Sequence, residues 1–363
     1  MHIQADTKTL KDVLEVVSKI STKHTTLPVL QCVLLEVKNK TLHIKATNLE
    51  IGIEGTVEVV AEEDGVIAVP AQILLQTISL ISQPKTTLTT EGEVLIVESK
   101  ASRTEIKSIP ATDFPHIPHI SGKAVMVNSN LFTLAIKTTA FTASQSSIKP
   151  ELGSIYIYQK KEHSLTFVAT DSFRLMEKTI PQKNINLPEA LLIPYKNALE
   201  LARVTEGATG DIELFINENQ CALSIGNIYI TSRLIHGSFP DYEQIIPKEY
   251  KTQISLLTSD FVQALKKTSI FLNKFMQVTL IASKGSLTLS AQNGEAGTTT
   301  ETIQANVEGE ELTLNFNQRY IHEVVSHIND DSILIKCAGV GRPMVIENMH
   351  DRSLRYLVMP MNK

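Results

Sequence analysis

Leu42-His43-Ile44-Lys45-Ala46-Thr47-Asn48 decides the architecture, because it returns twice in the same chain. The copies are Leu165-Thr166-Phe167-Val168-Ala169-Thr170-Asp171 and Leu287-Thr288-Leu289-Ser290-Ala291-Gln292-Asn293, at steps of 123 and 122 residues. Period-two alternation reads as a strand, and the closing Asn or Asp reads as a turn. Internal repetition at fixed spacing is the strongest single clue to how a chain is organised.

Other landmarks keep step with this one. Val69-Pro70-Ala71, Ile193-Pro194-Tyr195 and Asn315-Phe316-Asn317 each precede apolar residues at helical spacing. Those residues are Ile73, Leu74, Ile78 and Ile81; Ala198, Leu199, Ala202 and Val204; and Ile321, Val324, Val325 and Ile328. Proline suits entry into a first helical turn. An earlier helix is predicted near Leu10, Leu131 and Phe261, and each unit closes on Phe114-Pro115, Phe239-Pro240 or Met359-Pro360. The reading is α+β: three domains of one fold, 1–122, 123–247 and 248–363, each with two helices against antiparallel strands.

Amphipathic helices must bury their apolar faces on the sheets and leave polar faces in water. Three units on a shallow arc would place sheets outside and six helices inside, and two arcs meeting head to tail would close a ring. An open superhelix satisfies the same packing, so the repeat alone does not choose. The net charge of −5 argues against a nucleic-acid partner. Its placement argues the other way: the helical segments with their flanking loops are net positive, so the remainder is more acidic than the whole. Lys8, Lys11, Lys19, Lys23, Lys137, Lys149, Lys196, Arg203, Lys266, Lys267, Lys274 and Arg319 are the candidate phosphate contacts. Such contacts ignore base sequence and weaken with salt. No Trp and 5% aromatic residues disfavour base stacking.

Cys32, Cys221 and Cys337 stand far apart in apolar runs, which predicts buried thiols in a reducing cytosol. No apolar run reaches membrane-spanning length, and Met1-His2-Ile3-Gln4 lacks the features of a secretory signal. A phosphate-binding Gly-Lys-Ser/Thr loop is missing, and Gly339-Val340-Gly341-Arg342 and Gly294-Glu295-Ala296-Gly297 read as turns. His322 and His327 face apart on a helix, and His116 and His119 have no cysteine partner, so neither a metal nor a cofactor is expected. Asp171 reads as a turn cap rather than a catalytic acid. Three functions remain at this point: a topological tether on DNA, an enzyme with its cleft around Thr170, Asp171 and Arg174, and a plain repeat-built scaffold.

Several motifs carry a resemblance across nearly the whole chain. They are Thr26-Leu27-Pro28-Val29-Leu30, Thr47-Asn48-Leu49-Glu50, Ile109-Pro110-Ala111-Thr112-Asp113-Phe114-Pro115 and Ala169-Thr170-Asp171-Ser172-Phe173-Arg174-Leu175. Phe239-Pro240-Asp241-Tyr242 and Tyr356-Leu357-Val358-Met359-Pro360-Met361 complete the set. In this order and spacing the chain resembles the bacterial DNA sliding clamp family, the beta subunit of the replicative polymerase. The resemblance implies a non-catalytic, cytoplasmic, nucleoid-associated processivity factor: a half-ring of three clamp domains that closes as a head-to-tail homodimer around double-stranded DNA. Implied partners are the replicative polymerase, the clamp loader and clamp-binding repair polymerases, mismatch-repair proteins and ligase.

The family's single peptide-binding groove would be lined here by Leu152, Thr170, Ser172, Phe173, Arg174, Leu175, Pro240, Gln244, Ile245, Leu357, Met359, Pro360 and Met361, with Arg174 free to pair with peptide. Met and Leu suit a site that serves many related peptides. The DNA-binding set carried over is Lys23, His24, Lys137, Lys149, Lys196, Arg203, Lys266 and Lys267. The dimer interface carried over is Gln72, Ile73, Thr104, Ile106, Ile270 and Phe271. The chain departs from the family pattern at Ser172 and Phe173, where Gly-His is usual, at Gln244, where Arg is frequent, and at Ser154, where Gly is usual. His24 stands where an Arg is common, and Gln72 and Ile73 stand where basic residues form ion pairs, which predicts an interface resting on apolar contact. The C-terminal stretch, without a ligand, reads as prone to fray.

Overall fold

A computed structural model describes residues 1–21, 27–100, 102–183 and 185–361. The predicted helices are α1 Thr7–Val17, α2 Ala71–Ser79, α3 Ser129–Ala140, α4 Tyr195–Thr205, α5 Thr258–Thr268 and α6 Gln318–Val325. Local chemistry sets several of the starts. Asp6 accepts the Thr9 amide at 2.8 Å ahead of α1, and Asn317 accepts the Arg319 amide at 3.0 Å ahead of α6. Each bond satisfies a donor that a helix start leaves open.

Helix faces match the sequence pattern in α5, which buries Phe261, Ala264, Leu265 and Thr268, and in α6, which buries Ile321, Val324 and Val325. Two expected core positions are instead exposed, Ile73 on α2 and Leu199 on α4. α4 buries Asn197, Ala198, Leu201, Ala202 and Thr205. Hydropathy places Asn and Thr outside, but here both are satisfied. Asn197 donates to Ser232 Oγ at 3.0 Å, and the Thr205 and Thr133 hydroxyls lie 2.6 Å apart. A buried polar group with a partner loses most of its desolvation penalty, so the helix settles with that face inward.

The chain forms two compact units, residues 1–133 with 196–234 and residues 134–195 with 235–363. The first contains a twelve-stranded antiparallel sheet. Within it, strand Ile51–Glu63 of the first repeat pairs with Ile228–Arg233 of the second, Ile53 opposite Ile230. The second unit contains a nine-stranded and a four-stranded sheet. In the nine-stranded one, Arg174–Pro181 of the second repeat pairs with Leu354–Val358 of the third, Met176 opposite Tyr356. Consecutive repeats are thus stitched by the same strand-to-strand seam, used twice. The middle repeat contributes four strands to each unit.

The segment that leaves each repeat's last strand also returns to close an open edge. Ile109 donates to the Ala68 carbonyl, Ile235 to Leu192 and Met361 to Asn315, all at 2.8–2.9 Å. The three donors are spaced 126 residues apart. Met361 therefore occupies a repeated structural position, and the tail through that residue is tied down rather than frayed, because an unpaired strand edge gains a partner.

The three cysteines are buried and free. Gly339–Gly341 turns between strands Ser332–Cys337 and Met344–Asn348, and Gly294–Ala296 turns between Ser286–Asn293 and Gly297–Gln304. His327 stacks on Phe141 with centroids 4.7 Å apart, while His322 is exposed. No helix among the described residues is long and apolar enough to cross a membrane.

Candidate functional site

The repeated stretch ends in a hairpin turn of fixed chemistry. Thr170 Oγ1 donates to the Arg174 carbonyl at 2.6 Å and accepts from the Ser172 amide at 3.1 Å. Asp171 Oδ1 accepts from the amides of Phe173 and Arg174, both at 3.0 Å. Thr47 and Asn48 make the same four bonds in the first repeat. Ser172 and Leu49 both sit at φ +76°, so this turn holds a non-glycine residue in the left-handed region. Asp171 is a turn cap, as expected.

Arg174 is less available than the sequence suggests. Its Nε donates to Asp171 Oδ2 at 3.0 Å, one Nη to Glu323 and the other to the Phe141 carbonyl at 2.9 Å. The guanidinium also lies 4.5 Å from the Tyr320 ring centroid. Burial disfavours its charge, but the Glu323 bond and the nearby carboxylates outweigh that and hold its pKa above the ordinary value. Glu323 is held below its ordinary value, since bonds from Arg174 and Arg319 overcome the opposing effect of burial. Arg174 therefore locks the hairpin to α6 instead of facing out toward a ligand.

Beyond the turn, Leu175 lies opposite Leu357 across the seam, and the Met359 amide donates to the Phe173 carbonyl at 2.8 Å. Leu175 and Leu357 are buried in a cluster with Val168, Val345 and Tyr242. Phe173, Ile245 and Met359 are 61%, 50% and 38% exposed. Pro240, Ser172 and Gln244 are exposed, Pro360 and Met361 half-buried, and Thr170 and Leu152 buried. Gln244 is turned to Asp241 Oδ2 at 2.8 Å. The result is an apolar floor with an apolar rim and no free charge from Arg174.

The strap Phe239–Tyr250, which carries Pro240 and Ile245, was not resolved into roles by sequence reasoning. Phe239 stacks on Tyr156 with centroids 4.8 Å apart. The Tyr242 hydroxyl donates to Glu177, lies 2.7 Å from the Tyr158 hydroxyl, and has its pKa pushed up by burial and by the bond to Glu177. Glu177 also meets Lys160 at 3.1 Å and Arg355 at 3.4 Å. Asp241 and Tyr242 had been visible only as motif letters, since nothing in spacing marks a tyrosine as a partner of a distant glutamate.

Of the charged candidates, Lys137, Lys149, Lys196 and Lys266 are exposed, Lys149 in the loop that follows α3. Arg203 pairs with Glu200 at 2.6 Å and Lys267 with Glu301 at 2.8 Å. Lys23 and His24 lie outside the described residues. Among the interface candidates Ile270 is 70% exposed, Gln72 and Ile73 are exposed, and Thr104 and Phe271 are half-buried. Ile106 is a correction: it is buried within its own unit, because its side chain alternates onto the covered face of strand Ser102–Lys107.

Comparison with known proteins covers the chain from end to end. Family models described as the N-terminal, central and C-terminal domains of the DNA polymerase III beta subunit match residues 1–118, 126–241 and 243–362. The beta sliding clamp of Staphylococcus aureus strain N315 is 25% identical over 364 residues, which cover 97% of this chain and 95% of the relative. That of Staphylococcus epidermidis is 26% identical with the same coverage. Among solved structures, the DNA polymerase III subunit beta from Pseudomonas aeruginosa superposes with a TM-score of 0.95 at 26% identity, covering all of both chains. A sliding clamp from that organism bound to griselimycin gives 0.94 at 26% identity, again over all of both chains.

Proposed function

This chain belongs to the DNA polymerase III beta subunit family and is a beta sliding clamp, the non-catalytic processivity subunit of that polymerase; on that premise we propose that it grips DNA by enclosure and docks its partners in one groove. The domains are assigned as 1–122, 123–247 and 248–363. The observation that carries enclosure is a pair of free strand edges, Ser102–Lys107 at the end of the twelve-stranded sheet and Gly297–Gln304 at the end of the four-stranded one.

These edges are the repeat equivalents of the two strands that make each internal seam. Within the repeats, Ile53, Met176 and Thr299 correspond, since each faces the alanine of the recurring stretch: Ala46, Ala169 and Ala291. Thr104, Ile230 and Tyr356 correspond in the same way, through Val97, Leu223 and Ile346. Ile53 faces Ile230 and Met176 faces Tyr356. The next member of the series is Thr299 facing Thr104 of a second copy. Two such contacts close a head-to-tail dimer. Exposed Ile270 and half-buried Phe271 then meet the exposed Ile73 and Leu80 of α2 and its C-terminus on the second copy, an apolar contact that would be lost to water in a lone subunit.

Inside the ring, Lys137, Lys149, Lys196 and Lys266 supply exposed positive charge for phosphate, with Arg203, Lys267, Lys23 and His24 completing the assigned set. The groove on Phe173, Ile245, Met359 and the Leu175–Leu357 floor receives a peptide of the polymerase. The clamp loader, repair polymerases, mismatch-repair proteins and ligase would compete for it, and griselimycin, bound by the Pseudomonas clamp, is proposed to compete as well. The same reading puts its work in the cytoplasm, on the nucleoid. Enclosure predicts that loaded clamp stays on nicked circular DNA and is lost within moments of linearising it. Equal retention on both would eliminate enclosure.

A further inference from the structure

We infer that the Tyr242 hydroxyl is a positioning group for the groove: bonded to Glu177, it fixes the strap that holds Ile245 and Pro240 at the rim. The inference rests on the groove reading above. Leu175 and Glu177 lie two residues apart on one strand and so share a sheet face. The Tyr242 ring is buried among the floor residues Val168, Leu175 and Leu357, while its hydroxyl reaches the buried Glu177 and Tyr158. One side chain thus joins the apolar floor to the polar half of the same face. Tyr242 opens the single helical turn Tyr242–Ile245, so a shift at its first residue is passed to Ile245 at its last. Glu243, next to it, is exposed and meets at 2.8 Å the Lys160 that also pairs with Glu177, so that contact joins the same network from its outer side.

The first seam supplies an internal comparison. Phe114 and Phe239 correspond at a step of 125, which puts Ile117 where Tyr242 stands. Glu54 is the repeat equivalent of Glu177, and its linker donor is His119 Nε2 at 3.0 Å rather than a phenol. Gly52 stands where Leu175 does, and a Cβ there would come within 2.7 Å of Ile117 Cγ2. The place of the floor is filled by the linker itself, and Glu50 and Arg233 make an ion pair where Phe173 and Met359 form the rim. A linker donor reaches the seam carboxylate in both cases, but only in the second does that donor also touch a groove.

Tyr242→Phe removes one oxygen and keeps the ring. Binding of a fluorescent peptide carrying the clamp-binding segment of the cognate polymerase should weaken about tenfold, the scale of one hydrogen bond to a charged group. Amide exchange should quicken in 239–246 alone, with strand Ser164–Thr170 unchanged. In an Ile245→Ala background the substitution should add little, because both act through one contact. Unchanged affinity, a full additive loss in that background, or faster exchange across the whole nine-stranded sheet would each overturn the inference. Met359→Ala separates the two readings: if it too leaves peptide affinity intact, the groove is misplaced, whereas a loss there with none in Tyr242→Phe overturns the positioning role alone.

Discussion

Cysteines placed at 103 and 300 of one chain should lock two copies together. In the internal seams the pairs beneath the linkers are Glu54 opposite Tyr229 and Glu177 opposite Arg355, and the series continues to Thr300 opposite Arg103 of a second copy. Directly opposed residues of an antiparallel pair have Cα atoms about 4.5–5.5 Å apart, inside the roughly 4.4–6.8 Å that a disulfide spans. Arg103→Cys with Thr299→Cys is the control, since a one-residue offset turns the thiols to opposite faces. Both native residues are exposed, and Arg103 loses only surface ion pairs to Glu91, Glu98 and Glu105. Background is low because burial pushes the Cys32 thiol up to about 11 and those of Cys221 and Cys337 up to about 12. At pH 8 about one Cys32 thiol in a thousand is ionised, against roughly a quarter for an exposed thiol near pKa 8.5. Mild oxidation followed by non-reducing denaturing electrophoresis should give a product of twice 40.1 kDa. Linkage in the control but not in the matched pair would refute the register, and no linkage in a preparation that sediments as a dimer would refute the seam itself.

Arg174→Ala should destabilise the chain by about 2 kcal/mol in a denaturant titration, because it removes hydrogen bonds to the carboxylates of Asp171 and Glu323, which keep their backbone amides and Arg319; an unchanged midpoint would mean that Arg174 holds nothing. His327 is held below its ordinary pKa by burial, so the unfolded chain takes up the proton first as pH falls. Its contribution is complete above about pH 6.5 and drains away below it. The melting temperature should therefore fall between pH 7.5 and 5.5, and His327→Phe should flatten that slope; parallel slopes would acquit His327. Deleting Met359–Lys363 should abolish peptide binding and leave the dimer, while costing about 1 kcal/mol for each of the two backbone bonds to Phe173 and Asn315. A truncated chain that melts like the parent would contradict the tied-down tail.

The threefold plan was legible because it is written in period and punctuation. The Leu-x-apolar-x-Ala stretch, the proline before α2 and the Asn or Asp turn are local, and each became the element expected. Helix rotation was not legible in α4, since Asn197 and Thr205 are drawn inward by partners 35 and 72 residues distant. The groove rim is carried by resemblance alone; Phe173, Ile245 and Met359 are exposed, and Leu175 and Leu357 are buried. The partners of Arg174 were not legible, because an arginine after a turn gives no hint of Glu323, 149 residues away. Ile106 failed for the opposite reason: strand alternation pointed inward, and the correspondence was read without it.

The seam carboxylate has a consequence for where such an assembly gives way. Glu54 and Glu177 each fasten a covalent crosspiece over an internal joint, whereas the corresponding residue in the third repeat is Thr300, which has no carboxylate to take such a donor. A two-copy annulus of the proposed kind would have four joints fastened in this way and two that lie between separate copies. A pull on such a ring would be spent at the joints between copies, so opening there would need no dedicated hinge.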